Sequence, residues 1–317
     1  MATQGNHELQ LQNEPAPILE GVRAPAWLWL SLPIATFAIV AGLTGMLFDS
    51  VYSKETANWA AQGFAQDIVN VFIAYPALLV LAFLAGRGSI GAYLAWTGVL
   101  GYSVYTFAIY TFSIHLGPLF MVYVAVFGLS IYALIGGLAS IDGARLKSTF
   151  TPRAPIQVTS TALIVVGVIF YLLWLSEIVP AVFSDTTPQA LIDTGLPTNP
   201  VHVLDMAILL PAAMITGVLL KGGRATGYLL APMLLGTFIV LGIGIVGVFS
   251  VLASRGEVVP WGVAGAMGAI AAGMFLILIR FVRAIEPRSQ LSAVIRSNGR
   301  NTGNLAARGS TNRVADR

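Results

Sequence analysis

The sequence predicts an all-α transmembrane protein, an eight-helix bundle built as a parallel 4+4 internal repeat with both termini cytoplasmic. Apolar residues make up 56% of the 317 residues and charged residues 10%, whereas soluble domains carry about 25% charged residues. Eight apolar segments are long enough to cross a bilayer core of about 30 Å as helices. In addition, a stretch that begins at Asp67 recurs 135 residues later without a gap.

The predicted spans follow a polar amino-terminal segment, residues 1–25. Because the first span is longer than the apolar core of a signal peptide and lacks an A-x-A-like cleavage site, we expect it to be a retained helix. No segment shows the alternation over about 10 residues that is typical of β-barrel strands. The spans lie at residues 26–47, 65–85, 90–112, 117–139, 159–183, 200–220, 227–253 and 260–284.

The internal repeat relates the first four spans to the last four. Nine of the 35 paired positions from 67/202 to 101/236 are identical, and they include Pro76 with Pro211, each of which should kink its helix. Since each unit has an even number of helices, both units enter the membrane in the same direction, which makes a parallel repeat. We therefore predict a first unit at 26–139, a cytoplasmic linker at 140–158 and a second unit at 159–285.

Lysine and arginine are concentrated on one side of this topology. With the amino terminus inside, 15 of them lie on the cytoplasmic side and two, Lys54 and Arg255, lie outside. Cytoplasmic loops accumulate these residues, so the count places both termini inside. The basic charge thus orients the chain against the lipid bilayer and does not indicate nucleic-acid binding. The basic tail at 286–317 has almost no large apolar residues, and we expect it to be disordered.

Several chemistries are excluded by what the sequence lacks. The chain has no cysteine, which excludes disulfides, thiol catalysis and cysteine metal sites. It has no phosphate loop, Rossmann glycine pattern, HExxH zinc motif or GxSxG elbow. Its histidines do not occupy facing mid-helix positions, which argues against haem. We predict no cofactor and find no metal-binding motif.

Polar residues near the predicted outer side are the candidates for a functional site. Ionisable groups inside membrane spans are costly and therefore indicate function. A spacing of three residues places Asp67 with Asn70, and His202 with Asp205, on common helix faces. The candidate ligand-binding residues are Asp205, Glu177, His202, Asp67, Asn70 and His115.

Two interpretations of these residues stay open. They could form a pocket between the two units that binds a cationic or polar ligand, holds a divalent metal or relays protons. Alternatively, some of them stabilise helix ends. Asn199-Pro200 is typical of an N-cap followed by the first helical residue, and Asp67 is a second capping candidate. Asp205 lies about six residues into its helix, which is too deep for simple capping.

One stretch resembles a known group of proteins. Residues 194–205, Thr-Gly-Leu-Pro-Thr-Asn-Pro-Val-His-Val-Leu-Asp, together with residues 105–112 and 120–138, resemble a group of uncharacterised bacterial eight-helix integral membrane proteins. The resemblance implies a multi-pass protein of the bacterial plasma membrane. No activity is established for that group, so it implies no functional residues.

Three hypotheses for function follow. The first is a small-molecule or ion transporter or binding protein with a polar site near the outer face, between the two repeats. The alternative is a membrane-embedded enzyme that acts on a lipid or prenyl-type substrate, with Asp205, Glu177 and a histidine as acid and base. An accessory subunit of a membrane complex is the third. Duplication with paired kinked helices favours the first.

Overall fold

Eight long helices make up most of the described part of the protein. The computed structural model describes residues 25–286 together with Val294 and Ile295. In that part of the chain there is no β-strand, although two isolated β-bridges occur. The helices are α1 (Ala26–Leu47), α2 (Ala57–Gly86), α3 (Ile90–Ser113), α4 (Phe120–Ala139), α5 (Ile156–Phe183), α6 (Pro200–Lys221), α7 (Ala225–Ser254) and α8 (Trp261–Arg283). Two short helices, Gly143–Ser148 and Gln189–Thr194, precede α5 and α6.

Seven of these helices are long and apolar enough to cross a membrane by length and composition. The prediction of a helical protein with several membrane-spanning segments is therefore confirmed, but the count differs from eight. The exception is α3, which has 24 residues and carries many Tyr, Thr, Ser and Gly residues that lower its hydropathy. Fifteen of its residues are buried, so its polar groups face other helices rather than lipid.

The second helix begins earlier than the apolar pattern predicts. Its first residue is Ala57, and the Thr56 side chain caps it by accepting a hydrogen bond of 3.2 Å from the backbone N–H of Trp59. Asp67 therefore lies well inside α2, and the interpretation of Asp67 as a helix cap is wrong. The other capping prediction is confirmed: Asn199 accepts from the N–H of Val201 at 2.9 Å, and Pro200 is the first helical residue.

Helices α2 and α6 share a local irregularity. Each contains one π-helical stretch, Asn70–Ala74 in α2 and Asp205–Leu209 in α6, and each resumes as an α-helix just before a proline. A proline removes one donor from the helical hydrogen-bond ladder, and a π-bulge is one way to accommodate the break. The two π-helical stretches begin 135 residues apart, as do the α-helical segments Tyr75–Gly86 and Leu210–Lys221 that follow them.

The centre of the bundle is a close crossing of α3 and α7. A Cβ atom placed on Gly98 would lie 2.7 Å from the Cα atom of Gly236, so the two backbones are in direct contact. Thr237 reinforces the crossing, because its hydroxyl donates to the Gly98 carbonyl at 3.0 Å. Small residues permit this approach between membrane helices. The polar face of α3 is consequently held at a fixed position relative to α6 and α7.

Helix α5 is buried unevenly along its length. Its buried residues are Thr159, Ser160, Leu163 and Gly167, all in the first half of the helix. Ser160 donates to the Gly217 carbonyl of α6 at 2.7 Å, and Gly167 fits against Met214. No residue of α5 after Gly167 is buried, so its second half is less covered by other helices than its first half, although Trp174 still contacts Asp205 of α6.

The segment between α4 and α5 contacts residues that follow α8. Ile141 forms an antiparallel β-bridge with Ile295, and Val294 is fully buried. A second bridge joins Phe150 to Ile285. Val294 and Ile295 thus pack against the bundle. The rest of the tail after Glu286, which was predicted to be disordered, lies outside the described residues, as do residues 1–24.

Candidate functional site

The loops that were predicted to be outside meet at one end of the bundle. The hydroxyl of Thr56 donates to the carbonyl of Asp193 at 2.8 Å, which joins the loop before α2 to the short helix before α6. Lys54 donates to the carbonyl of Leu116 at 2.8 Å, which joins the same loop to the connection between α3 and α4. We refer to this end as the predicted outer end.

A cleft lies at the predicted outer end, lined by α5, α6 and the loop that joins them. Its volume is about 560 Å³, within the range typical of small-molecule sites. Every lining residue lies between Glu177 and Met206, within the predicted second unit, whereas the sequence predicted a site between the two units. The lining residues are Glu177, Ile178, Ala181, Val182, Asp185, Thr186, Thr187, Pro188, Leu191, Thr198, Asn199, His202, Val203 and Met206.

Glu177 and His202 form the charged centre of the cleft. The Oε2 atom of Glu177 lies 3.8 Å from Nε2 of His202. The His202 side chain is 9% exposed and that of Glu177 is 39% exposed, so the carboxylate remains accessible from the cleft. His202 occupies the first turn of α6, directly after the Asn199 cap, and this position fixes its direction toward α5. The pair presents hydrogen-bond acceptors and one negative charge to a ligand.

Asp205 lies one turn deeper and is held by two donors. The Tyr105 hydroxyl of α3 donates to its Oδ1 atom at 2.9 Å, and the Trp174 indole N–H of α5 donates to its Oδ2 atom at 2.8 Å. The Trp174 ring also packs against His202, with ring centroids 4.3 Å apart. Trp174 therefore joins the buried carboxyl group of Asp205 to the charged centre of the cleft.

Asp67 belongs to a separate and enclosed cluster in the first unit. It is 2% exposed and accepts hydrogen bonds from Tyr52 at 2.6 Å and Tyr110 at 2.8 Å. Burial, followed by the nearby carboxyl group of Asp67, raises the pKa of the Tyr52 phenol well above its ordinary value. Tyr52 thus keeps its proton and acts as a donor.

Asn70 is also buried in the first unit, one turn from Asp67. Its Oδ1 atom accepts from the Tyr102 hydroxyl at 2.6 Å, and the Gln66 side chain donates to that same hydroxyl. All of these partners lie in α2 and α3. Asn70 therefore forms part of the packing between these helices and does not line the cleft.

His115 is placed on the surface of the predicted outer end. Its backbone N–H donates to Oε1 of Glu55 at 2.8 Å, and its Nδ1 atom lies 3.0 Å from Oε2 of the same side chain. This pair joins the connection after α3 to the loop before α2. Of the six residues predicted from the sequence, the structure brings together Glu177, His202 and Asp205, which are joined through Trp174. The other three, Asp67, Asn70 and His115, lie outside this group.

None of the residues predicted from the sequence is one of the aromatic donors that hold the carboxyl groups. Neither Trp174 nor Tyr105 was among the six candidate residues. One signal was present: Trp174 precedes Glu177 by three residues and therefore shares its helix face. The role of Tyr105 depends on the orientation of α3 against α6, which no local pattern contains.

The site offers few groups for a metal. Within the described part of the chain, no group of three or more His, Asp or Glu side chains is close enough to hold a metal ion. Comparisons with known protein families, with curated proteins and with solved structures found no match to this chain. The function must therefore be inferred from the geometry of the cleft.

Proposed function

We propose that this chain is an eight-helix integral protein of a bacterial plasma membrane, built as a parallel 4+4 repeat with both termini cytoplasmic. The repeat is supported by the π-helical stretches, which begin 135 residues apart at Asn70 and Asp205. It is further supported by the left-handed glycines Gly88 and Gly223, which occupy the same turn after α2 and α6. The orientation is supported by the count of basic residues on each side.

Labelling of single cysteines tests this topology. Because the chain has no cysteine, Ser53→Cys and Ser148→Cys each introduce one thiol, at exposed positions on opposite ends of the bundle. A membrane-impermeant maleimide should label the Ser53→Cys protein in intact cells and the Ser148→Cys protein only after lysis. Labelling of the Ser148→Cys protein in intact cells would overturn the orientation.

We further propose that the protein binds a small molecule in the cleft between α5 and α6, as a transporter or binding protein. The observation that carries this proposal is the accessible pair Glu177 and His202 in a cleft of about 560 Å³. Apolar side chains such as Ile178, Val203 and Met206 line the rest of the cleft. Such a lining fits a ligand with an apolar body and a group that donates hydrogen bonds to Glu177 and His202.

Binding to the purified full chain in lipid nanodiscs tests this proposal. The probes are potassium chloride, glycerol, n-butylamine, cyclohexanol and phenol, each followed by the shift in thermal unfolding. At least one probe should stabilise the wild type and lose its effect in the Glu177→Ala/His202→Ala variant. The matched control is Glu257→Ala, an exposed glutamate in another loop at the same end. If no probe distinguishes the double variant from the wild type, the proposal fails.

A second candidate function is acid/base catalysis on a lipid or prenyl-type substrate. It is favoured by the distance of 3.8 Å between Glu177 and His202, which is close enough for the two groups to share a proton through a bound substrate or water. A deletion strain separates the two functions. Altered membrane lipids would support the enzyme, whereas altered uptake or retention of a solute would support the transporter.

A further inference from the structure

The Asp67 cluster shows what the corresponding position of the first unit contains. The Tyr52 side chain enters the bundle from the loop before α2, and its hydroxyl donates to Asp67 at 2.6 Å. Two glycines make room for the ring. A Cβ atom on Gly63 would lie 2.8 Å from Cε1 of Tyr52, and a Cβ atom on Gly45 would lie 3.1 Å from its hydroxyl oxygen. Tyr52 therefore fills a cage that has the size of a phenol.

The 135-residue spacing relates this cage to the cleft. Tyr52 corresponds to Thr187, Gly63 to Thr198 and Asp67 to His202, and each of these second-unit residues lines the cleft. Val71 corresponds to Met206 and Gly42 to Glu177, which also line it. By this numbering the lining of the cleft corresponds to the surroundings of Tyr52, although the loops before the two helices differ in local structure: Tyr52 ends a 3-10 turn, whereas Thr187 precedes the short helix Gln189–Thr194.

The two positions differ chiefly in what fills them. Thr187 carries a much smaller side chain than Tyr52, and the lining residues of the cleft include no Phe, Tyr or Trp. Both positions offer an acceptor for a hydroxyl group, but the accepting residues differ. Asp67 accepts the Tyr52 hydroxyl in the first unit, while Glu177 and His202 offer acceptors in the second. Ile178 and Met206 provide apolar contacts of the kind that a ring needs.

We infer that the cleft binds an aromatic ring that carries a hydrogen-bond donor, a phenol-like or arylamine-like group in the place that Tyr52 holds in the first unit. This inference rests on the proposed binding function and specifies its ligand class. The ring lies among the apolar lining residues, and its donor points toward Glu177 and His202. A saturated ring of the same size lacks the planar shape that the Tyr52 cage accommodates.

Titration of the full chain in nanodiscs with phenol and tyramine tests the inference, with cyclohexanol as the saturated counterpart. Thermal unfolding and tryptophan fluorescence report binding, since Trp174 contacts His202. We expect saturable binding of phenol and tyramine, with cyclohexanol much weaker. Thr187→Tyr should abolish phenol binding because the new side chain occupies the cleft. Ser254→Tyr, which adds the same side chain at an exposed position of the same end, should leave it unchanged.

Substitution of the internal ring provides a second measurement that does not depend on Thr187. Tyr52→Gly opens the cage above Asp67, and added phenol should restore part of the thermal stability that this variant loses, whereas cyclohexanol should not. Equal binding of cyclohexanol and phenol to the wild-type cleft, or unchanged phenol binding in Thr187→Tyr, would overturn the inference while the proposed binding function stands. If none of the probes binds to the wild type, both the inference and the proposed binding function fail.

Discussion

Replacement of Gly98 by alanine tests the central crossing of α3 and α7. The added methyl group would lie 2.7 Å from the Cα atom of Gly236 and 3.0 Å from the carbonyl oxygen of Met233. Carbon atoms in favourable contact are about 3.5–4.0 Å apart, so the two helices must separate locally by roughly 1 Å. The atoms that the methyl group meets belong to the backbone and cannot rotate away as a side chain can.

The expected magnitude combines two opposing contributions. Glycine to alanine inside a helix is favourable by about 1 kcal/mol, because alanine loses less conformational freedom. Overpacking at a tight contact costs about 1–3 kcal/mol. Gly128→Ala in α4 measures the first contribution alone, since nothing lies within 4 Å of a Cβ atom at that position. The difference between the two variants should therefore be about 1–3 kcal/mol, with Gly98→Ala the less stable.

Equilibrium unfolding in mixed detergent micelles measures this difference. The purified wild type and both variants are unfolded by increasing fractions of a denaturing detergent, and helix content is followed by circular dichroism. Gly98→Ala should unfold at a lower fraction than Gly128→Ala. Unfolding of the two variants at the same fraction would show that α3 and α7 do not cross in backbone contact, and the placement of Tyr105 beside Asp205 would then lose its basis.

Two other changes probe the carboxyl clusters. Tyr52→Phe removes one of the donors to the buried Asp67 and should lower the free energy of unfolding by about 1–3 kcal/mol. Tyr132→Phe, at an exposed site, should leave the free energy of unfolding unchanged. Equal stability of the two variants would contradict the hydrogen bond. Asp205→Ala removes the acceptor of the Trp174 indole and should shift the tryptophan emission relative to wild type, and an unchanged spectrum would show that the indole has another partner.

Most of the helical organisation could be predicted because apolar length depends on local sequence alone. The exception at α2 is instructive. Residues 57–64 contain Asn58 and Gln62, so their hydropathy falls below that of a span, although Thr56 supplies an ordinary N-cap signal. The apolar pattern of the sequence therefore predicts only the more apolar part of α2. The helix itself continues for two further turns toward the predicted outer end.

The candidate site could be predicted only in part. The cost of charge in a membrane indicated Glu177, His202 and Asp205, and the structure joins them through Trp174. The cleft beside them is lined by α5, α6 and the loop that joins them, and its shape depends on packing between helices. A single sequence reports which residues are polar, but it does not report how far apart two helices lie.

The length and low burial of α5 make the shape of the cleft sensitive to the thickness of the bilayer. A helix of 28 residues is about 42 Å long, whereas the hydrocarbon core is about 30 Å thick. Such a helix relieves hydrophobic mismatch by tilting, and a thinner bilayer demands a larger tilt. Because α5 contacts α6 through Ser160 in its first half and through Trp174 in its second half, a change in its tilt moves its outer end relative to α6. Acyl-chain length should therefore change the width of the cleft, and with it the affinity for any ligand bound there.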